Sequence, residues 1–94
     1  HHHRQSRLIM YATDKAFAGQ RASIGRTVLV RRLKGDESPI EPAIITTIHP
    51  GDIIDARSCE DHAILPLTSD TFVTVTAEAI DDMPAGAWTW PPRV

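Results

Sequence analysis

The sequence predicts a small all-β domain, a five-stranded antiparallel barrel that is SH3-like, with an OB-like barrel as the alternative. Three observations lead to this prediction. The chain has 94 residues, which fit one domain with a compact core. Short runs rich in β-branched residues recur between residues 27 and 80, and turn-forming residues separate them at similar intervals.

Residues 1–26 precede the predicted strands. His1–His3 resemble a purification tag, and we expect residues 1–9 to be a tag or vector remnant. Residues 10–26 contain two glycines among scattered apolar side chains. They predict an irregular N-terminal arm over the domain, with at most one helical turn near residues 14–18.

The first two strands of the barrel are predicted at Thr27–Leu33 and Ala43–Ile48, because both runs are rich in valine, isoleucine and threonine. The second run is the more apolar, which is typical of a buried central strand. The segment His49–Asp52 places proline and then glycine at the two central turn positions, which predicts a type II turn. Since that turn twists poorly for a tight hairpin, we expect a slightly longer connection or a bulge.

Three further strands complete the predicted barrel at residues 27–80. Ile53–Arg57 is the partner of the preceding strand across the turn. His62–Leu67 contains Pro66, which has no N–H to donate, so this strand belongs at an edge of the sheet. Thr71–Glu78 alternates between a polar and an apolar face with a period of two, the pattern of a half-buried strand.

Residues 81–94 form a Trp/Pro-rich C-terminal tail. In an extended chain Trp88 and Trp90 point the same way, and Pro91 and Pro92 stiffen the segment behind them. Two interpretations stay open. The indoles fold back and seal one end of the barrel, or the tail, including Arg93, docks into another subunit or partner, because tryptophan is enriched at binding hot spots.

Composition and charge disfavour several classes of partner. The chain carries 10 basic and 12 acidic residues, a formal net charge of −2, so we expect no nucleic-acid partner. No run approaches the ~18 apolar residues of a membrane span, so we expect no membrane partner and a soluble protein. The single cysteine, Cys59, rules out an intrachain disulfide and is typical of a reducing compartment.

The basic cluster Arg26, Arg31 and Arg32 supports an alternative function, a module that binds or sequesters a nucleotide-like or anionic small ligand. On a strand, however, Arg31 and Arg32 point to opposite faces, so they form no continuous basic stripe.

The polar turns supply a minimal set of reactive residues. His49, Cys59 and His62 do not have the spacing of a metal site, and no glycine-rich turn near them offers an oxyanion hole. We therefore expect no catalytic residue, no metal and no cofactor. A metal-dependent enzyme built on these three residues is the remaining alternative.

Three segments resemble a group of small tailed-phage proteins: Ile24–Val30, Glu41–His49 and Ala85–Val94. These proteins share a Gly-x-x-Val strand, a Pro-Ala-Ile-Ile/Val-Thr-x-Val-His strand and a Gly-x-Trp-x-Trp-Pro-Pro-Arg tail. Many of them carry histidine between the tryptophans, where this chain has Thr89. The resemblance implies a phage origin and no established activity.

The expectation from the sequence is therefore a non-enzymatic phage accessory protein that acts by protein–protein contact. The contact is self-assembly as a homo-oligomer, including a virion-associated role, or the binding of a host protein. The resemblance places such a protein in the host cytoplasm or in the virion.

Overall fold

The computed structural model describes residues 9–11, 16–33 and 38–92. Within these ranges the chain forms seven strands and three short 3₁₀ segments. The strands are β1 (Ile9–Tyr11), β2 (Thr27–Arg31), β3 (Ile40–His49), β4 (Ile53–Ser58), β5 (Ile64–Thr68), β6 (Val73–Val75) and β7 (Trp88–Thr89). The 3₁₀ segments are Ala16–Gly19, Ser69–Thr71 and Ala77–Asp82.

Five of the strands form one antiparallel sheet in the order β5-β4-β3-β2-β7. The sheet curls into a half-barrel, because its strands twist and one face is buried. Strands β2 to β5 follow one another as a meander, and the last strand of the chain pairs with the first of them. The prediction of a small all-β, barrel-like fold is confirmed. A separate ribbon pairs β1 with β6, antiparallel.

The β3–β4 hairpin has the longer connection that the sequence predicts. His49 pairs with Ile53, so three residues lie in the loop. Gly51 has a φ of 81°, which glycine adopts without a Cβ clash. The register of the two strands shifts between Ile45 and Thr47, which inserts a bulge into β3.

Strand β5 is an edge of the five-stranded sheet, as Pro66 predicts. The Ala63 carbonyl accepts a hydrogen bond from the Ser58 N–H. Along an antiparallel strand, the backbone N–H and C=O groups of successive residues point alternately toward one neighbouring strand and away from it. The even-numbered residues of β5 therefore direct their backbone groups away from β4. The nitrogen of Pro66 therefore lies at the open edge, where its missing N–H disrupts no ladder hydrogen bond.

Strand β6 is shorter than the predicted Thr71–Glu78, and it pairs with β1 instead of joining the main sheet. On one side, Phe72 forms an isolated bridge with Trp88. On the other, the chain turns into the 3₁₀ segment that buries Ala79. The period-two pattern is correct for Val73–Val75, but tertiary packing ends the strand at both sides.

The predicted segment boundaries do not coincide with the edges of the sheets. Strand β7, in the tail, pairs with β2 through Leu29–Thr89 and Val30–Trp88. Strand β1 begins at Ile9, the last residue of the predicted tag segment, and that residue pairs with Val75.

The buried apolar side chains that the structure describes form two clusters. The first fills the half-barrel: Phe17, Ala22, Val28, Val30, Ala43, Ile45, Ile54, Ala56, Leu67, Phe72, Trp88 and Trp90. The second lies beside β6 and the following 3₁₀ segment: Val73, Val75, Ala79, Met83 and Ala87. Of the helical segments that the structure describes, none is long and apolar enough to cross a membrane.

Candidate functional site

Both tryptophans of the tail lie in the core of their own chain. Trp88 is fully buried and Trp90 is 6% exposed. The Trp88 ring centroid lies 4.8 Å from that of Phe72 and 5.3 Å from those of Phe17 and Trp90. The Trp88 and Trp90 rings meet edge to face at 87°, a favourable geometry for aromatic pairs.

The polar edges of both indoles are satisfied within the chain. Trp88 Nε1 donates to the Thr68 carbonyl at 2.8 Å, and Trp90 Nε1 donates to the Phe17 carbonyl at 3.1 Å. The Arg26 guanidinium lies 3.7 Å from the centroid of the Trp90 ring, within the range of a cation–π contact. These contacts agree with the interpretation that the tail seals the barrel.

Partner binding by the tail stays a prediction. Of the residues named for it, Pro91 is exposed and Pro92 half-buried, whereas both indoles are packed inside. Arg93 lies outside the described residues. A partner that docks on the tail would therefore meet the prolines and the edge of the Arg26–Trp90 stack.

A cluster of connected polar side chains surrounds Arg32, the residue directly after β2. Arg32 Nη2 donates to Glu41 Oε1 at 2.9 Å and to Asp61 Oδ1 at 2.5 Å, and Nη1 donates to Asp61 Oδ2 at 2.9 Å. Arg32 Nε lies 2.9 Å from Glu41 Oε2 but not in hydrogen-bonding geometry. Ser58 Oγ donates to Glu41 Oε1 at 2.5 Å. The cluster thus ties β3 and β4 to the β4–β5 loop.

The charges of this cluster stabilise one another. The hydrogen bonds from Arg32, followed by the Ala63 N–H, hold the pKa of the Asp61 carboxyl well below its usual range. The hydrogen bond to Asp61 is also the main cause that raises the pKa of Arg32. Glu41 is buried, and a buried carboxylate needs such partners because desolvation is costly.

A cleft of about 330 Å³ opens beside the cluster, and its lining includes Arg32 together with Glu41, Glu60 and Asp61. Three carboxylates thus surround one guanidinium that is already paired. A negatively charged ligand would meet net negative charge here. Among the described residues that line the cleft, no unpaired cation is present.

The three arginines predicted to bind an anion do not converge on one site. Arg26 stacks on Trp90. Arg31 Nε donates to the Ser38 carbonyl at 3.0 Å, and its Nη1 donates to the Met83 carbonyl at 2.6 Å. Arg32 is held in its own cluster. Each guanidinium serves a different internal contact, and small-ligand binding by the three together stays a prediction.

The residues considered for metal chemistry also form no shared site within the described part of the chain. His49 Nε2 lies 3.0 Å from Asp55 Oδ2, and Cys59 and His62 are exposed. Among the described residues, no group of three His, Cys, Asp or Glu side chains is placed to hold a metal ion.

The outer face of the main sheet carries an apolar surface that the sequence analysis missed. Ile44 pairs with Arg57, and Arg57 pairs with Ile64, so these three residues lie side by side on β3, β4 and β5. Ile53 and Asp55 share that face of β4 because side chains alternate along a strand. We call these five residues the isoleucine face: Ile44, Ile53, Asp55, Arg57 and Ile64.

The three isoleucines of this face are exposed by 40%, 40% and 55%, while their neighbours Ile45, Ile54 and Ala56 are buried on the inner side. The Arg57 side chain has neither an ion pair nor a hydrogen bond with any residue that the structure describes. The sequence signal for this surface is the alternation in residues 53–57. Ile53 begins the outer face of the strand, and Ile54 begins its inner face.

Comparison of the chain with protein-family models, with curated proteins and with solved structures found no match. The resemblance to tailed-phage proteins stays a prediction.

Proposed function

We propose that this protein is a non-enzymatic contact protein that associates with further copies of itself through the isoleucine face. The observation that carries the proposal is the exposure of Ile44, Ile53 and Ile64 on one face of three adjacent strands. Ile44 and Ile64 lie two strands apart, roughly 10 Å. Burying such side chains is favourable, by about 25 cal/mol for each Å² removed from water.

The charges of the face favour a second copy over an unrelated partner. One anion, Asp55, and one cation, Arg57, lie two residues apart on β4, so the surface carries both signs and no strong net charge. A surface of this kind is complementary to itself. A partner with one strong sign of charge would match only half of it.

A contact of ordinary size would cover a modest share of this chain. A standard protein interface buries about 800 Å² from each partner. This is about an eighth of the accessible surface of the chain, which is 6184 Å². The contact would use the outer face of the three paired strands β3, β4 and β5.

The edge of the sheet at β5 is a less suitable contact than the face of the sheet. Pro66 offers no donor at the edge of β5, and the Thr68 carbonyl, which also points outward, already accepts the Trp88 indole. An added strand would therefore find a ladder with two interruptions. Association through the edge is accordingly disfavoured.

The resemblance to tailed-phage proteins supports an accessory role in the virion or in the host cytoplasm for such an assembly. The guanidinium groups of Arg26, Arg31 and Arg32 are engaged in internal contacts. This favours a structural role over catalysis.

The test is the solution mass of two matched double variants, measured by light scattering over a range of concentrations. Ile44→Ser with Ile64→Ser removes two side chains of the isoleucine face. Ile24→Ser with Ile48→Ser is the control, because these isoleucines are 69% and 45% exposed but lie elsewhere. We expect the first variant to remain at the 10.4 kDa of one chain and the control to associate like the wild type.

Both variants change exposed side chains, so their melting temperatures should stay close to that of the wild type. A wild-type protein that stays at the mass of one chain at every concentration contradicts the proposal. Equal association of the two variants contradicts the assignment of the face.

A further inference from the structure

The two charged residues of the isoleucine face define how two copies would meet. Asp55 and Arg57 project from the same face of β4, about 6.6 Å apart along the strand. The Arg57 guanidinium makes no ion pair or hydrogen bond among the described residues, while Asp55 Oδ2 lies 3.0 Å from His49 Nε2. Within the described part of the chain, Arg57 is therefore without a charged partner, and Asp55 has an exposed histidine beside it.

Two identical faces can be stacked about a two-fold axis between the sheets, and two such arrangements keep the β4 strands aligned. If the two-fold axis lies between the sheets and runs parallel to β4, each Asp55 faces the other Asp55, and the like charges repel. If the axis runs perpendicular to β4 and passes midway between Asp55 and Arg57, the two β4 strands are antiparallel, and each Arg57 lies opposite Asp55 of the second copy. Only the second arrangement pairs opposite charges.

The same arrangement also gives the isoleucines suitable neighbours. Asp55 pairs with Thr47 of β3 on one side and with Pro66 of β5 on the other. In the same way, Arg57 pairs with Ile44 of β3 and with Ile64 of β5. The two-fold rotation therefore places Ile64 opposite Pro66 of the second copy and Ile44 opposite Thr47. Neither isoleucine meets a charge, and both of the facing residues are exposed in the single chain.

We infer that the protein forms a closed two-fold dimer, in which the two β4 strands cross face to face and Arg57 of each copy pairs with Asp55 of the other. The inference rests on the proposed self-association and adds its partner count and register. Because the same surface is used on both copies, the contact closes at two chains and leaves no isoleucine face for a third.

A charge-swap series measured by light scattering tests the register. Arg57→Asp alone places two carboxylates opposite each other, and Asp55→Arg alone places two guanidinium groups opposite each other. We expect each single variant to raise the dimer Kd at least about tenfold, since juxtaposed like charges oppose association. The variant with both changes in one chain restores opposite pairs, and its Kd should return to within about threefold of the wild type.

The outcomes separate the register from the proposed function. If the wild type forms dimers but the double swap is no tighter than the single variants, the register is wrong and self-association stands. A wild-type mass that rises beyond twice 10.4 kDa overturns the closed dimer. A wild type that never exceeds one chain overturns both proposals.

Thermal melting of each variant checks folding, and Asp55→Lys with Arg57→Glu provides a second swap. The same comparison is made with that pair if Asp55→Arg lowers the melting temperature.

Discussion

Replacing Trp88 with alanine is expected to remove a large part of the stability of this domain. The ring is fully buried and contacts the rings of Phe17, Phe72 and Trp90. Replacement of a buried aromatic residue by alanine costs about 3 to 5 kcal/mol, because apolar contact is lost and a cavity remains. A chain of 94 residues has about 5 to 14 kcal/mol of folding free energy in total.

The milder variant Trp88→Phe isolates the indole hydrogen bond. It keeps most of the ring but removes the donor that lies 2.8 Å from the Thr68 carbonyl. We expect a loss of about 1 kcal/mol for the hydrogen bond and somewhat more for the smaller ring. One kcal/mol corresponds to roughly 4–8 °C in the melting temperature of a domain of this size.

The assay is urea denaturation followed by circular dichroism, with Ile24→Ala as the control, since Ile24 is 69% exposed. We expect a large shift of the midpoint for Trp88→Ala, a smaller shift for Trp88→Phe and almost none for the control. The reasoning is refuted if Trp88→Ala unfolds at the same urea concentration as the wild type. That result would mean that the tail is not packed in the core.

Two further predictions concern the polar cluster and the sheet edge. Because Arg32 lowers the pKa of Asp61, the stability from their contact is present in full above the ordinary aspartate pKa of about 3.9, and it is lost as the pH falls below that value. Urea midpoints between pH 7 and pH 2 should therefore fall less steeply for Asp61→Asn than for the wild type, and parallel curves would contradict this. Pro66→Thr adds an N–H at the open edge of β5, so we expect assemblies larger than those of the wild type in light scattering at high concentration. An unchanged mass distribution would show that Pro66 does not protect the edge.

Local patterns in the sequence were sufficient for much of the fold. Proline and glycine in the β3–β4 loop predicted the longer hairpin connection, and Pro66 predicted the edge strand. These predictions depend on residues close to each other in the chain, where a missing N–H or a positive φ acts directly. A core position for Trp88 and Trp90 was one of the two interpretations that the sequence left open.

Long-range contacts were not predictable in the same way. Leu29 of β2 pairs with Thr89 of β7, which lies far away in the sequence. Nothing in either segment indicates which strand it pairs with. Arg32 was considered as an anion ligand because it belongs to a basic cluster in the sequence. Its partner Asp61 lies 29 residues away, so their contact was not predictable from local patterns. The bulge after Ile45 also sets which residues of β3 face outward, and it leaves no clear mark on the period-two pattern.

Copies of the chain are proposed to meet through the isoleucine face while the tryptophans stay inside their own chain. The most direct measurement is an NMR titration of protein concentration that follows the isoleucine methyl signals and the two indole N–H signals together. We expect the methyl signals of Ile44, Ile53 and Ile64 to shift with concentration and both indole signals to stay constant. Moving indole signals with unchanged methyl signals on the face would contradict it and identify the tail as the contact.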